Sequence, residues 1–127
     1  MTVSVDDAAG TLRDISTDIG NLQWATPRGV QDITGVNKSA MERQLLLADG
    51  SITLNLPAFD DGTNLSHSVF KTVPSSSVAR TTTIAISGQT LSMEMLYTDY
   101  GLTRGQDGTL SATVPGVLAD GTVPTWS

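Results

Sequence analysis

Thr81-Thr82-Thr83-Ile84-Ala85-Ile86-Ser87-Gly88-Gln89-Thr90-Leu91-Ser92-Met93-Glu94-Met95-Leu96-Tyr97 is the stretch that decides the fold. In its first half Ile84 and Ile86 share one face, among threonines that favour extended backbone. Ser87-Gly88-Gln89 supplies a turn. The return run sets Leu91, Met93, Met95 and Tyr97 on one face, with Ser92 and Glu94 on the other. Alternation with period two marks a half-buried strand. Two such runs about a glycine turn predict an antiparallel hairpin.

The same signature recurs on both sides. Ser51 to Ala58 puts Ile52, Leu54, Leu56 and Ala58 on one face, opposite Ser51, Thr53 and Asn55. Thr109 to Val114 puts Leu110, Ala112 and Val114 opposite Thr109, Ser111 and Thr113. Four Asp-Gly pairs, at 49–50, 61–62, 107–108 and 120–121, are turn signals that tolerate positive φ. Gly101 to Gly105 reads as a further turn. One helix is predicted over Asn64 to Val73, with Asp60, Asp61, Thr63 and Asn64 crowding its start and Pro74 stopping it. Its buried stripe is Leu65, Val69 and Val73, with Phe70 beside it. Residues 26–44 are irregular, broken by Pro27, Gly29 and Gly35, and such long loops are uncommon inside a compact domain. The closing Val123 to Ser127 reads as a tail or short edge strand.

A chain of 127 residues with 39% hydrophobic and 16% charged residues predicts one globular domain over 1–127. No apolar run approaches the roughly 20 residues of a membrane span. Residues 1–4 have neither a basic region nor an apolar core, so a secretory signal is not expected and synthesis in a cytoplasm is. With no cysteine, disulfides, thiolate metal sites and thiol catalysis drop out. A net charge of −6, with seven basic residues, argues against tight nucleic-acid binding, which rests on cations neutralising phosphates.

Chemistry is sparse. His67 is the only histidine, which leaves a transition-metal site or a Ser-His-Asp triad with little to stand on. The pairs Asp6-Asp7 and Asp60-Asp61 point to opposite faces of an extended chain, so neither forms a glycosidase dyad. Calcium at Asp60, Asp61 and Asn64 lacks the spaced ligands of an EF-hand loop, and helix capping already accounts for these residues. Trp24 suits core packing, whereas Trp126, next to last, would want a partner. No catalytic residue, metal or cofactor is expected. The fold expected is mainly β: a small β-sandwich or partly open barrel of six to eight strands, with one short flanking helix and a long loop at 26–44. Open strand edges, the loop and the lack of catalytic groups point to a self-assembling structural subunit. Val30, Ile33, Val36, Met41 and Trp126 are the candidate subunit-interface residues.

The opening Gly10-Thr11-Leu12-Arg13-Asp14-Ile15-Ser16, the strand at Trp24, the polar segment after it and the alternating strand from Ile52 into Phe59-Asp60 add a resemblance. In this order they resemble the tail tube (major tail) proteins of long-tailed bacteriophages. The resemblance implies stacked hexameric rings, with each subunit's sheet lining a continuous inner barrel and the helix packed outside. The long loop would reach a neighbouring subunit or ring, and DNA would pass through an acidic lumen without specific binding. The protein's partners would be further copies of itself and other tail or head–tail junction proteins, in a virion made in a bacterial cytoplasm. Thr53, Asn55, Ser92, Glu94, Ser111 and Thr113, the polar faces of the alternating strands, become candidates to line the lumen. The alternatives are a capsid decoration protein, a head–tail junction ring, or a carbohydrate-binding module presenting Trp24, Trp126 or Tyr100. A carboxylate-based hydrolase is the remaining one.

Overall fold

The computed structural model describes residues 1–57 and 66–127. The expected Phe59-Asp60 element, the Asp60-Asp61 pair, the Asp61-Gly62 turn, and Ala58, Thr63, Asn64 and Leu65 lie outside the described residues. The strands are β1 (Thr2–Asp6), β2 (Leu12–Asp14), β3 (Asn21–Ala25), β4 (Arg28–Asp32), β5 (Arg43–Ala48), β6 (Ser51–Leu56), β7 (Arg80–Ile86), β8 (Gln89–Tyr97), β9 (Gly101–Arg104) and β10 (Leu110–Leu118). A 3-10 turn spans Ser16–Asp18, and a short helix, α1, spans Ser66–Phe70. The chain is mainly β with one short helix, as its alternating runs predict. Eight strands form one continuous sheet in the order β2-β1-β7-β8-β10-β6-β3, with β9 also paired to β10. One open sheet fits the partly open barrel rather than the sandwich. β4 and β5 pair only with each other.

The hairpin at 80–97 forms in full register, from Arg80 opposite Met95 to Ile86 opposite Gln89. Its turn places Ser87 (φ +50°) and Gly88 (φ +82°) in the left-handed region, which matches the right-handed twist of the flanking strands. Side chains alternate as the sequence demands. Val3 and Val5, Ile52, Leu54 and Leu56, Ile84, Leu91, Met93, Met95 and Tyr97, and Ala112 and Val114 all point to one buried face. Ile86 and Leu110, at strand ends, share that parity but remain exposed.

α1 closes this face. Val69, Phe70 and the following Val73 are buried in the core cluster. The Phe70 ring meets Tyr97 edge-on at 5.4 Å between centroids, and the Tyr97 hydroxyl bonds Thr82 Oγ1 at 2.7 Å. Burial pushes the Tyr97 phenol well above its ordinary pKa. Two buried polar residues hold the helix in place. Asp18 accepts the Ser66 N–H at 3.0 Å, satisfying a donor at the helix start. Arg80, 2% exposed, donates to the Val69 carbonyl and, at 2.8 Å, to Thr72 Oγ1. A cation on the last carbonyls of a helix opposes their partial negative charge.

Three segments depart from the sequence reading. β1, which pairs with β7 across most of the chain, was hidden in a stretch with only Val3 and Val5 as apolar signal. Gly101 to Arg104 is strand β9, not a turn, and the turn follows at Gly105 to Gly108, where Gly108 has φ +93°. β10 runs through Pro115 to Leu118. Pro115 is tolerated because its missing N–H faces a fork. β9 pairs with the first half of β10 and β8 with its last three residues, and between them Thr98 N–H reaches the Pro115 carbonyl at 3.1 Å.

Candidate functional site

Residues 26–44, expected as one irregular loop, contain strand β4 and the start of β5, and only 33–42 between them is loop. β3 and β6 are antiparallel neighbours, with Ala25 opposite Ser51. The segment between them is the outer part of the same hairpin, separated from the main sheet at Pro27 and at Asp49-Gly50. Asp49-Gly50 is therefore a junction within the hairpin rather than its tight turn. The Asp49 N–H bonds the Pro27 carbonyl at 2.9 Å, so the ladder continues across the junction. Beyond it β4 and β5 form a two-stranded arm with Val30 opposite Leu45 and Asp32 opposite Arg43, and a register shift between Arg28 and Val30. Thr34 organises the tip: Glu42 N–H donates to Thr34 Oγ1 at 2.8 Å, and the Thr34 hydroxyl lies 2.6 Å from Asp32 Oδ1. The hydrogen bonds from Thr34 hold the Asp32 carboxyl below its ordinary pKa.

The arm leaves its apolar residues in water. Val30, Ile33, Val36 and Met41 are all exposed, Val36 fully so. Leu45, Leu46 and Leu47 join them, Leu47 at 93% exposure. The sequence reading missed these leucines. A ribbon bare on both faces shows no alternation, so a run of three leucines carries no strand signal. An isolated two-stranded hairpin is marginal in water, and this much bare apolar surface marks an interaction site. At the arm's root a shallow groove is lined by Arg28, Leu45 to Ala48 and Val123. Val123 belongs to the closing segment, whose end pairs with β8: Thr90 N–H bonds the Ser127 carbonyl at 2.8 Å, and Ser127 N–H the Thr90 carbonyl at 2.9 Å. Trp126 forms a bridge opposite Leu91 and is 48% exposed.

The six polar residues chosen from the alternating strands lie on the sheet face opposite the core. Register brings them into rows. Asn21, Asn55 and Thr113 stand side by side, as do Gln23, Thr53 and Pro115. Ser111 lies opposite Thr103. Thr83 neighbours Ser92 and Ser4, and Thr81 neighbours Glu94, whose carboxylate takes the Thr81 hydroxyl proton in a hydrogen bond. Hydroxyls and amides dominate this face. Among the described strand residues its carboxylates are Glu94 and, toward the β1–β2 edge, Asp6 and Asp14.

Among the described residues weighed for chemistry, His67 meets Tyr100 and the others serve separate local roles. His67 is half-buried rather than a bare surface residue, and its Nδ1 lies 3.1 Å from the Tyr100 hydroxyl. Asp7 serves a turn and an ion pair, accepting the Ala9 and Thr11 N–H groups at 3.0 Å each and Arg13 Nε at 3.2 Å. Trp24 packs against the core as expected. Among the described residues no three His, Cys, Asp or Glu side chains cluster to hold a metal, and no helix is long and apolar enough to cross a membrane.

No protein-family model and no curated protein matches the chain. Solved structures do. A chain in the tail of an empty gene transfer agent (GTA) particle, computed with helical refinement and C6 symmetry, superposes over 100% of this chain and 95% of its own length. Its TM-score is 0.73 at 14% identity. A chain in the virion of a native GTA particle superposes over 98% of this chain and 95% of its own, with a TM-score of 0.67 at 12% identity. The tail tube resemblance carried by the opening residues and this likeness agree. From end to end, the chain has the fold of a subunit found in a phage-like tail.

Proposed function

We propose that this protein is a structural, non-enzymatic subunit of a phage-like virion tail, that it assembles into stacked hexameric rings, and that the resulting tube conducts DNA. The observation that carries the reading is the full-length likeness to a chain in a C6 tail, in a molecule that also has an open-edged sheet and a bare apolar arm. A ring is built from heterologous contacts, in which one surface meets a different surface of the next copy. The sheet offers two unlike edges for this, β2 and β3. The arm, with Val30, Ile33, Val36 and Met41, and Trp126 at the chain end offer apolar surface to be covered by neighbours. The hydroxyl- and amide-rich face, with Thr53, Asn55, Ser92, Glu94, Ser111 and Thr113, is the candidate lumen. Among the described residues, its strand positions carry no exposed cation that would hold phosphates and stall a moving duplex.

Light scattering and negative-stain microscopy of the purified protein test the reading. Rings or tubes with six-fold end views are expected. A monomer at high concentration would refute it. Discrete trimers that bind empty capsids would move the protein to a decoration role. In gel-shift assays near physiological salt the protein should leave duplex DNA unshifted; tight, salt-sensitive binding would remove the conduit.

A further inference from the structure

The arm joins the sheet through two short backbone joints, at Pro27 and at Asp49-Gly50. A two-stranded ribbon on two such joints has little of its own to fix its angle. The closing segment lies where that angle is set. β10 ends at Leu118, whose N–H bonds the Gly50 carbonyl at 3.1 Å. From there the chain is fastened to β8 twice. The Ala119 N–H bonds the Glu94 carbonyl at 3.1 Å, and Trp126 bridges Leu91 beside the paired bonds between Ser127 and Thr90. Between Leu118, opposite Met95, and Trp126, opposite Leu91, the closing segment takes eight residue steps where β8 takes four. The surplus has to leave the ladder. Asp120-Gly121 turns it out, with the Thr122 N–H on Asp120 Oδ1 at 3.1 Å and Gly121 at φ +73°. This excursion brings Val123 to the groove at the arm's root, with Arg28 and Leu45 to Ala48. Pro124 fixes its own φ and biases Val123 toward extended backbone, which stiffens the excursion.

We propose that residues 119–127 are a strap, fastened to β8 at both ends, whose excursion at Val123 sets the angle at which the arm is held to the sheet. Leu118 and Trp24 occupy the space beside Gly50 and so hold the joint itself. A support at the joint alone leaves the ribbon free to swing, because a few joint residues can absorb large changes in backbone angle. Val123 stands beyond the joint, beside the first residues of the ribbon, and a support there resists swinging. The strap acts within one molecule, so it holds whether or not copies assemble. For a subunit that does assemble, an arm already held at its angle gives up less freedom when it is covered.

The chain has no cysteine, so two spin labels can be placed without interference. Val36→Cys at the arm tip and Thr103→Cys on β9 are both exposed and carry the pair. Their separation is read by double electron–electron resonance on the full-length protein, below the concentration of assembly. One narrow distance distribution is expected. Val123→Ser should broaden it several-fold with the melting temperature unchanged, since Val123 is 47% exposed. Deleting residues 122–127 should broaden it further; should that deletion unfold the body, Val123→Ser and Val123→Asp decide alone. A distribution that stays narrow in the serine and aspartate variants would overturn the strap. A parent distribution already as broad as theirs would do the same. Because the distance is read in the monomer, a parent that never forms tubes would refute the assembly reading without altering either outcome.

Discussion

The sheet body and the arm are built from similar residues and treat them oppositely. Ile52, Leu54 and Leu56 on β6 are buried to within 1% of complete, whereas Leu45, Leu46 and Leu47, on the strand just before it in the same hairpin, are exposed. Burying one such side chain contributes about 1.5–3 kcal/mol. The body collects that stabilisation within the monomer. The arm leaves it uncollected in the monomer, where the proposed assembly would cover it. Stability and assembly should therefore be separable by mutation along one hairpin.

The largest effect is expected in the body. Phe70→Ala removes the ring that α1 lays against Tyr97 and should cost about 3–5 kcal/mol in denaturant melts. Assembly would be lost with the fold. A smaller loss on the same side would mean that α1 is not integral to the core.

Gly50→Ala tests the junction between the two regions. A Cβ there would lie 2.8 Å from both Leu118 and Trp24, too close without movement of the Trp ring. A stability loss of about 1–3 kcal/mol is expected, with a changed arm angle visible as altered or absent tubes.

A pH series sharpens the picture of the β1–β2 edge. The Thr11 N–H, aided by Arg13 and opposed by slight burial, holds Asp7 below the ordinary carboxylate value of 3.8. A group with a depressed folded-state pKa contributes stability above its unfolded pKa and loses it as pH falls through the folded value. Asp7→Ala should therefore melt a few degrees below the parent at neutral pH, with the gap narrowing below pH 3.8. A constant gap from acid to neutral would show that the ion pair contributes nothing.

The smallest effect on the monomer is expected where the assembly effect is greatest. Leu47→Ser should change monomer stability by no more than about 0.5 kcal/mol, as exposed substitutions do, yet weaken tube formation. Monomer destabilisation comparable to that of Phe70→Ala would assign the arm to the core.

The central strands of the body were legible and the arm was not, for one physical reason. Period-two alternation records a difference between two faces, and β6, β7, β8 and β10 each have a buried and a wet face. The helix stripe of Val69, Phe70 and Val73 was legible on the same ground. β4 and β5 are wet on both faces, so their strands left no period and their leucines were overlooked. The candidate lumen residues emerged as a set because opposing a core face is itself a pattern. Val30, Ile33, Val36 and Met41 emerged only as apolar residues without an explanation, which is what exposure in the monomer means. Arg80, the buried cation beneath α1, gave no signal, since a lone arginine between Ala79 and a run of threonines looks like surface.

β1 pairs with β7, with Val3 opposite Ile84, and that pairing has a consequence in time. β1 must wait for some eighty further residues before its partner is made, several seconds of synthesis at about 5–20 residues per second. The arm closes on its neighbour in sequence, an event of about 1–10 µs for a hairpin. Each nascent chain thus has the residues of its arm long before the body can close. The arm's bare apolar residues are synthesised while the sheet that surrounds its root is still incomplete.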